Sequence, residues 1–81
     1  RAKVLALHGY EDPLAPAEDV RAFQEEMNAA GADWQIHIYG RTQHAFTNPK
    51  AANAEAGLMY NAVAERRASA AMHDFLAEVL A

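Results

Sequence analysis

Two short apolar segments, each ended by a glycine, enclose an amphipathic segment in the first half of the chain. Residues 3–8 (KVLALH) form a continuous apolar run that ends at Gly9, a pattern typical of a buried strand. Residues 34–39 (WQIHIY) alternate large apolar with polar side chains up to Gly40, which predicts a strand with one face less buried. Two strands joined by one helix form a βαβ unit with parallel strands and a right-handed crossover. This order of segments therefore predicts an α/β fold.

The segment between the strands carries the signals that begin and end a helix over residues 16–30. Pro16 suits the first turn, because the N–H that proline lacks would be unpaired there in any case. Gly31 suits the left-handed residue that ends a helix. The apolar side chains recur at spacings of three and four, which places them on one helical face: Val20, Phe23, Met27 and Ala30.

The second half of the chain shows no sustained period from Gly40 to about Tyr60, which predicts one long loop. A second helix begins near Asn61, a competent N-cap, and runs to about Leu80. Its apolar stripe comprises Ala64, Ala68, Met72, Phe75, Leu76 and Val79. The predicted fold is a βαβα fragment, with two parallel strands, a crossover helix and a C-terminal helix.

Composition excludes several classes of function. The chain has 81 residues, no cysteine and a net charge of −4, which predicts one domain at most, with a thin core. Seven Lys and Arg against eleven Asp and Glu predict no nucleic-acid partner. No apolar run reaches the roughly 18–20 residues of a membrane span, so we expect no membrane partner. No signal peptide is visible, and we expect a cytoplasmic location.

Two polar residues follow the predicted strands, where α/β sheets gather their catalytic groups. Asp12 lies four residues past His8, and His44 lies five residues past Tyr39. Because neighbouring parallel strands end on the same side, we expect Asp12 and His44 to come within hydrogen-bond reach. A carboxylate that accepts from one imidazole N–H leaves the other ring nitrogen free to act as a general base. On spacing alone, a turn-forming aspartate and a solvated histidine remain the alternative.

The motifs around these two residues resemble the C-terminal part of the dienelactone hydrolase family. The stretches are GYEDPLAP over residues 9–16 and HAFTNP over residues 44–49, and the resemblance covers essentially the whole chain. It implies that the chain is a single C-terminal portion, residues 1–81, of a three-layer α/β-hydrolase fold. It also implies that Asp12 is the acid and His44 the histidine of a catalytic triad, with the nucleophile upstream of Arg1.

The resemblance implies a hydrolase that acts on a small-molecule ester or lactone. Dienelactone itself is not favoured, because the arginine that binds its carboxylate in the family has no counterpart over residues 46–49. The chain contains no nucleophile elbow, and its one serine, Ser69, falls inside the second predicted helix. We therefore expect the isolated chain to be inactive.

Two further expectations concern metals and partners. His8, His37 and His44 belong to different segments, and no carboxylate or cysteine stands at a ligand spacing to His8 or His37, so we expect no metal and no cofactor. The alternative function is an inactive α/β module that self-associates through exposed strand edges and apolar helix faces, giving a homo-oligomer if the chain is complete. A small ligand-binding domain is a weaker third possibility, since Gly9 alone does not make a phosphate loop.

Overall fold

A computed structural model describes all of residues 1–81. Its elements are β1 (Lys3–Gly9), α1 (Ala17–Ala29), β2 (Asp33–Tyr39), β3 (Ala52–Asn53), β4 (Leu58–Met59) and α2 (Ala62–Val79). β1 and β2 form a parallel pair, in register from Lys3 opposite Asp33 to Gly9 opposite Tyr39. The predicted βαβα arrangement is confirmed, and every predicted bound of these four main elements lies within one residue of the observed one.

The two helices cover opposite faces of the β1–β2 sheet. Side chains alternate between faces along a strand, so Leu7 and Tyr39 lie on one face and Ala6 and Ile36 on the other. Leu7 and Tyr39 pack against Phe46 and two alanines of α2. Ala6 and Ile36 line a small cavity together with Val20 and Phe23 of α1. The chain thus forms three layers. The two-stranded sheet lies in the middle, with α1 on one face and α2 on the other.

The predicted long loop contains a short hairpin, which is the main difference from the sequence prediction. β3 and β4 pair antiparallel around a single 3₁₀ turn, Ala54–Ala56. The Asn53 side chain accepts a hydrogen bond from the N–H of Ala56 at 3.2 Å, and Gly57 closes the turn with a left-handed φ of 80°. Strands of two residues are too short to produce a period, so hydrophobic patterning could not reveal them.

The core is as thin as the length predicts. The buried apolar side chains are Phe46, Ala64 and Ala68. Only seven of the 81 residues are well buried and the others are half-buried or exposed, so most apolar side chains keep some contact with water. β1 is half-buried rather than fully buried, and Ile38 is exposed although Trp34 and Ile36 on the same face are half-buried. No helix is both long and apolar enough to cross a membrane.

Candidate active site

The buried residues concentrate at the carboxyl ends of β1 and β2. Five of the seven lie at the end of β1, in the loops that leave these strands or in the hairpin beside them: Gly9, Asp12, Thr42, Phe46 and Gly57. Two of the five are polar, and burial of polar groups requires hydrogen-bond partners. The best-packed part of the molecule is therefore the part that carries the predicted site.

The first loop turns sharply after β1 and fixes the carboxylate of Asp12. The N–H of Asp12 donates to the carbonyl of Gly9 at 3.1 Å. Its side-chain Oδ1 accepts from the N–H of Leu14 at 2.8 Å, an arrangement in which an aspartate stabilises the turn that contains it. Oδ1 is thereby used locally, and Oδ2 is available to a partner from outside the loop.

The second loop holds His44 through its backbone. The N–H of His44 donates to the carbonyl of Gly57 at 2.8 Å, and its carbonyl accepts from the N–H of Met59 at 3.2 Å. These bonds form a parallel bridge between His44 and β4. Ala45 follows with a positive φ of 59°, a conformation that non-glycine residues seldom adopt. The β3–β4 hairpin, which the sequence did not reveal, thus fixes the backbone of His44 through these two hydrogen bonds.

The two loops bring Asp12 and His44 into direct contact. The distance from His44 Nδ1 to Asp12 Oδ2 is 2.8 Å, a short and charge-assisted length for this pair of atoms. An ionised carboxylate can only accept, so Nδ1 carries the proton, and in the neutral imidazole Nε2 presents its lone pair. The Asp12 side chain is 10% exposed and that of His44 is 44% exposed, so the pair is anchored on the buried side and accessible at the imidazole.

The surroundings keep Asp12 ionised. Desolvation by burial is the largest influence on the pKa of Asp12, and it acts to raise it. The hydrogen bonds from His44 and from the Leu14 N–H act in the opposite direction and prevail. With the positive charge of His44 and, more weakly, of His8, they hold the pKa of Asp12 below its ordinary value of 3.8.

The Asp12–His44 pair lies on a cleft of about 330 Å³. Its lining also includes Leu7, Phe46 and Thr47, so its wall is partly apolar. A larger groove of about 520 Å³ lies on the α1 side, where Arg21 pairs with Glu25 and His8 makes no side-chain hydrogen bond. The smaller cleft is the better candidate site, because it alone contains a carboxylate bonded to an imidazole.

Neighbouring tyrosines add no charge to this region. Burial raises the pKa of Tyr39, and the nearby charge of Arg67 opposes that rise. Desolvation raises the pKa of Tyr60, and so does the carboxylate of Glu65, to which the Tyr60 hydroxyl donates at 3.4 Å. Both phenols are therefore neutral at physiological pH.

The remaining sequence candidates lie elsewhere. Ser69 is half-buried within α2 and makes no side-chain hydrogen bond. His37 bonds Gln35 on β2 at 3.3 Å and does not meet His8 or His44. Across residues 1–81, no three His, Asp or Glu side chains are grouped to hold a metal ion.

Comparison with known proteins shows the family of the chain. The family profile of the Dienelactone hydrolase family matches residues 1–80. An uncharacterized protein of Caenorhabditis elegans is 39% identical over 75 residues, which cover 91% of this chain and 48% of that protein. A Yersinia pestis protein, "Putative carboxymethylenebutenolidase", is 40% identical over 45 residues, covering 56% of this chain and 17% of its own length.

A solved structure has the same fold over nearly the whole of this chain. The chain superimposes with a TM-score of 0.88 on a dienelactone hydrolase-like promiscuous phosphotriesterase from metagenomic libraries. The two are 37% identical in sequence, and the match covers 96% of this chain and 33% of that one. This chain therefore spans half or less of the length of the relatives it matches.

Fold and site together define an α/β protein whose candidate catalytic residues lie beyond the carboxyl ends of parallel strands. Within this class of α/β proteins, the match of the family profile to residues 1–80 identifies the family of the chain. The chain belongs to the dienelactone hydrolase family, a family of hydrolases.

Proposed function

We propose that this chain supplies the acid and the histidine of a hydrolase that acts on carboxylic ester or lactone bonds. Asp12 is the acid, His44 is the general base, and the nucleophile comes from a longer protein of which this chain is one part. The observation that carries the proposal is the 2.8 Å contact between His44 Nδ1 and Asp12 Oδ2 on an accessible cleft.

The geometry supports a specific division of labour. Nε2 of His44 takes the proton of a serine or cysteine nucleophile as that nucleophile adds to the acyl carbon. The same nitrogen then returns the proton to the departing alkoxide, so the C–O bond breaks and an alcohol leaves. Water repeats the cycle on the acyl intermediate, with the proton again passing through Nε2. Asp12 stays ionised throughout, which its lowered pKa favours, and it stabilises the imidazolium.

The proposed type of substrate bond, a carboxylic ester or lactone, is inferred from the family and from the names of the relatives. The Yersinia pestis relative bears the name of an enzyme that acts on a butenolide, an unsaturated lactone. The phosphotriesterase relative is called promiscuous, so phosphotriesters are a second substrate class to test. The partly apolar cleft suits a small uncharged ester better than a carboxylate-bearing one, because residues 46–49 supply no cation.

The isolated chain is expected to be inactive under this proposal. It has no cysteine, and its one serine lies within α2 without a hydrogen bond to His44. Purified residues 1–81 should hydrolyse a nitrophenyl ester no faster than buffer containing free imidazole. Turnover that His44→Ala abolishes would contradict this expectation.

A chimera provides the positive test. Residues 1–81 replace the matching third of the phosphotriesterase relative, which supplies the rest of the fold. The chimera should hydrolyse a nitrophenyl ester, and His44→Ala or Asp12→Asn should each lower kcat by about 10³-fold or more. His73→Ala and Asp74→Asn are matched controls, since both residues are exposed on α2. An active, folded chimera that is indifferent to His44→Ala would overturn the proposal.

A second candidate function is self-association, and the free strand edges favour it. β1 and β2 pair only with each other, so each has one edge without a partner strand. Met72 and Leu76 are also exposed although they belong to the apolar stripe of α2. If the chain is complete, we propose a homodimer or a larger homo-oligomer of it. Sedimentation should show the assembly, and a folded monomer that melts cooperatively would exclude it.

A cytoplasmic location is part of the same proposal. It is proposed because no signal peptide is visible in the sequence, and cell fractionation tests it. Recovery of the protein with membranes would contradict it.

A further inference from the structure

Thr42 has the most completely buried side chain of the molecule, and it is polar. Only 1% of Thr42 is exposed, in a chain where even Phe46 retains 7%. Its hydroxyl donates to the carbonyl of Gly40 at 2.9 Å and accepts from Nδ2 of Asn61 at 3.3 Å. A buried hydroxyl with both roles satisfied is held in one orientation. The loop that carries His44 runs from residue 40 to residue 51 and is called the histidine loop. Thr42 lies two residues before His44, so it can fix the position of the first part of this loop.

Asn61 contacts the histidine loop on both sides of His44. Its Nδ2 reaches Thr42, and its backbone N–H donates to the carbonyl of Phe46 at 3.0 Å. Its Oδ1 accepts from the N–H of Ala64 at 3.0 Å, which caps α2. One residue at the start of α2 therefore bonds the loop two residues before and two residues after the imidazole. Capping α2 requires only Oδ1, so the Nδ2 bond serves the loop.

Thr42 also connects the histidine loop to the loop that carries Asp12, residues 10–16, which is called the aspartate loop. Its carbonyl accepts from the N–H of Glu11, the neighbour of Asp12, at 2.9 Å. The approach is so close that a Cβ on Gly9 would lie 2.5 Å from the Thr42 oxygen. A shift of Thr42 would therefore move the backbone that carries Asp12 relative to the backbone that carries His44.

We infer that the Thr42–Asn61 contact is a positioning device that sets the geometry of the Asp12–His44 pair. Neither residue touches the reacting atoms. Thr42 orients the histidine loop against the aspartate loop, and Asn61 ties that orientation to the start of α2. The effect on turnover rests on the function proposed above, whereas the effect on the Asp12–His44 hydrogen bond does not.

The test separates a role of Thr42 and Asn61 in positioning His44 from a purely structural role in stabilising the fold. Thr42→Val removes the hydroxyl at nearly constant shape. Asn61→Ser retains a good N-cap but is too short to reach Thr42. Thr42→Ser keeps the hydroxyl and should behave like the wild type. Asn28→Ser, an exposed position on α1, is the control.

The primary readout is ¹⁵N NMR of the His44 ring in the 81-residue chain, at a pH where the imidazole is neutral. In the wild type the proton should lie on Nδ1, bonded to Asp12. Thr42→Val and Asn61→Ser should each shift population to the Nε2–H form. The double variant should match Thr42→Val, because Thr42→Val alone already removes the contact with Asn61 together with the bond to Gly40. If Thr42→Val does not fold, Asn61→Ser decides alone, because its helix cap is preserved.

An unchanged His44 tautomer in folded Asn61→Ser protein, with or without a lower Tm, would overturn the inference and leave a purely structural contact. In the chimera, Thr42→Val should lower kcat about 10- to 100-fold with little change in KM, and Thr42→Ser should restore it. A chimera whose turnover does not depend on His44 would defeat the proposed function, while the NMR result would still decide the positioning role.

Discussion

The two faces of the sheet are packed very differently. On the α2 face, Phe46, Ala64 and Ala68 are buried against Leu7 and Tyr39. On the α1 face no helical residue is buried, and open spaces of about 220 and 520 Å³ remain between helix and strands. The difference shows that the chain concentrates its limited burial around the two loops that carry Asp12 and His44. The candidate site is therefore held by this chain's own contacts, whereas the α1 face is loosely filled.

The largest expected loss of stability comes from removing a buried side chain on the α2 face. Phe46→Ala should lower the free energy of unfolding by about 3–5 kcal/mol, because it removes a buried aromatic ring from a core of three residues. Phe23→Ala on the α1 face should cost only about 1–2 kcal/mol, since that ring is half-buried beside an existing cavity. Urea unfolding measures both. Equal losses would mean that the two faces are equally well packed.

A smaller effect is expected where the two site loops approach each other. Gly9→Ala should lower the free energy of unfolding by about 1–3 kcal/mol, because the added Cβ meets backbone oxygens of Thr42 and Gln43. Gly40→Ala is the matched control, because a Cβ there meets nothing within 4 Å, and it should change stability by less than about 0.5 kcal/mol. Thermal melting of both variants provides the measurement. A neutral Gly9→Ala would show that the loops are not tightly apposed.

The smallest expected effect is the contribution of Asp12 to the pH dependence of stability. The pKa of Asp12 is lower in the folded chain than its ordinary value of 3.8, so the ionised carboxylate stabilises the fold above about that pH. This stabilisation is lost as the pH falls through the lower, folded value. The free energy of unfolding, measured from pH 5 downward, should therefore depend less on pH in Asp12→Asn than in the wild type. Identical slopes would indicate that Asp12 and His44 are not bonded in solution.

Much of this architecture follows from local sequence patterns. β1, α1, β2 and α2 each carry a period or a terminating glycine, and the meeting of Asp12 with His44 follows from the common direction of parallel strands. The β3–β4 hairpin does not follow, because its strands are too short to show alternation. The burial of Thr42 does not follow either. It depends on Asn61, which is 19 residues away, and the sequence indicates Asn61 only as a helix cap.

The most direct measurement is the tautomer of His44 in the wild type and in Asp12→Asn, by ¹⁵N NMR of the neutral imidazole. The neutral histidine side chain in water prefers the Nε2–H form, so a dominant Nδ1–H form requires a partner such as the Asp12 carboxylate. We predict the Nδ1–H form in the wild type, with Nε2 free to accept a proton, and a return toward the Nε2–H form in Asp12→Asn. A wild-type His44 that is already in the Nε2–H form, and that does not respond to Asp12→Asn, would contradict the assignment of this pair as acid and base.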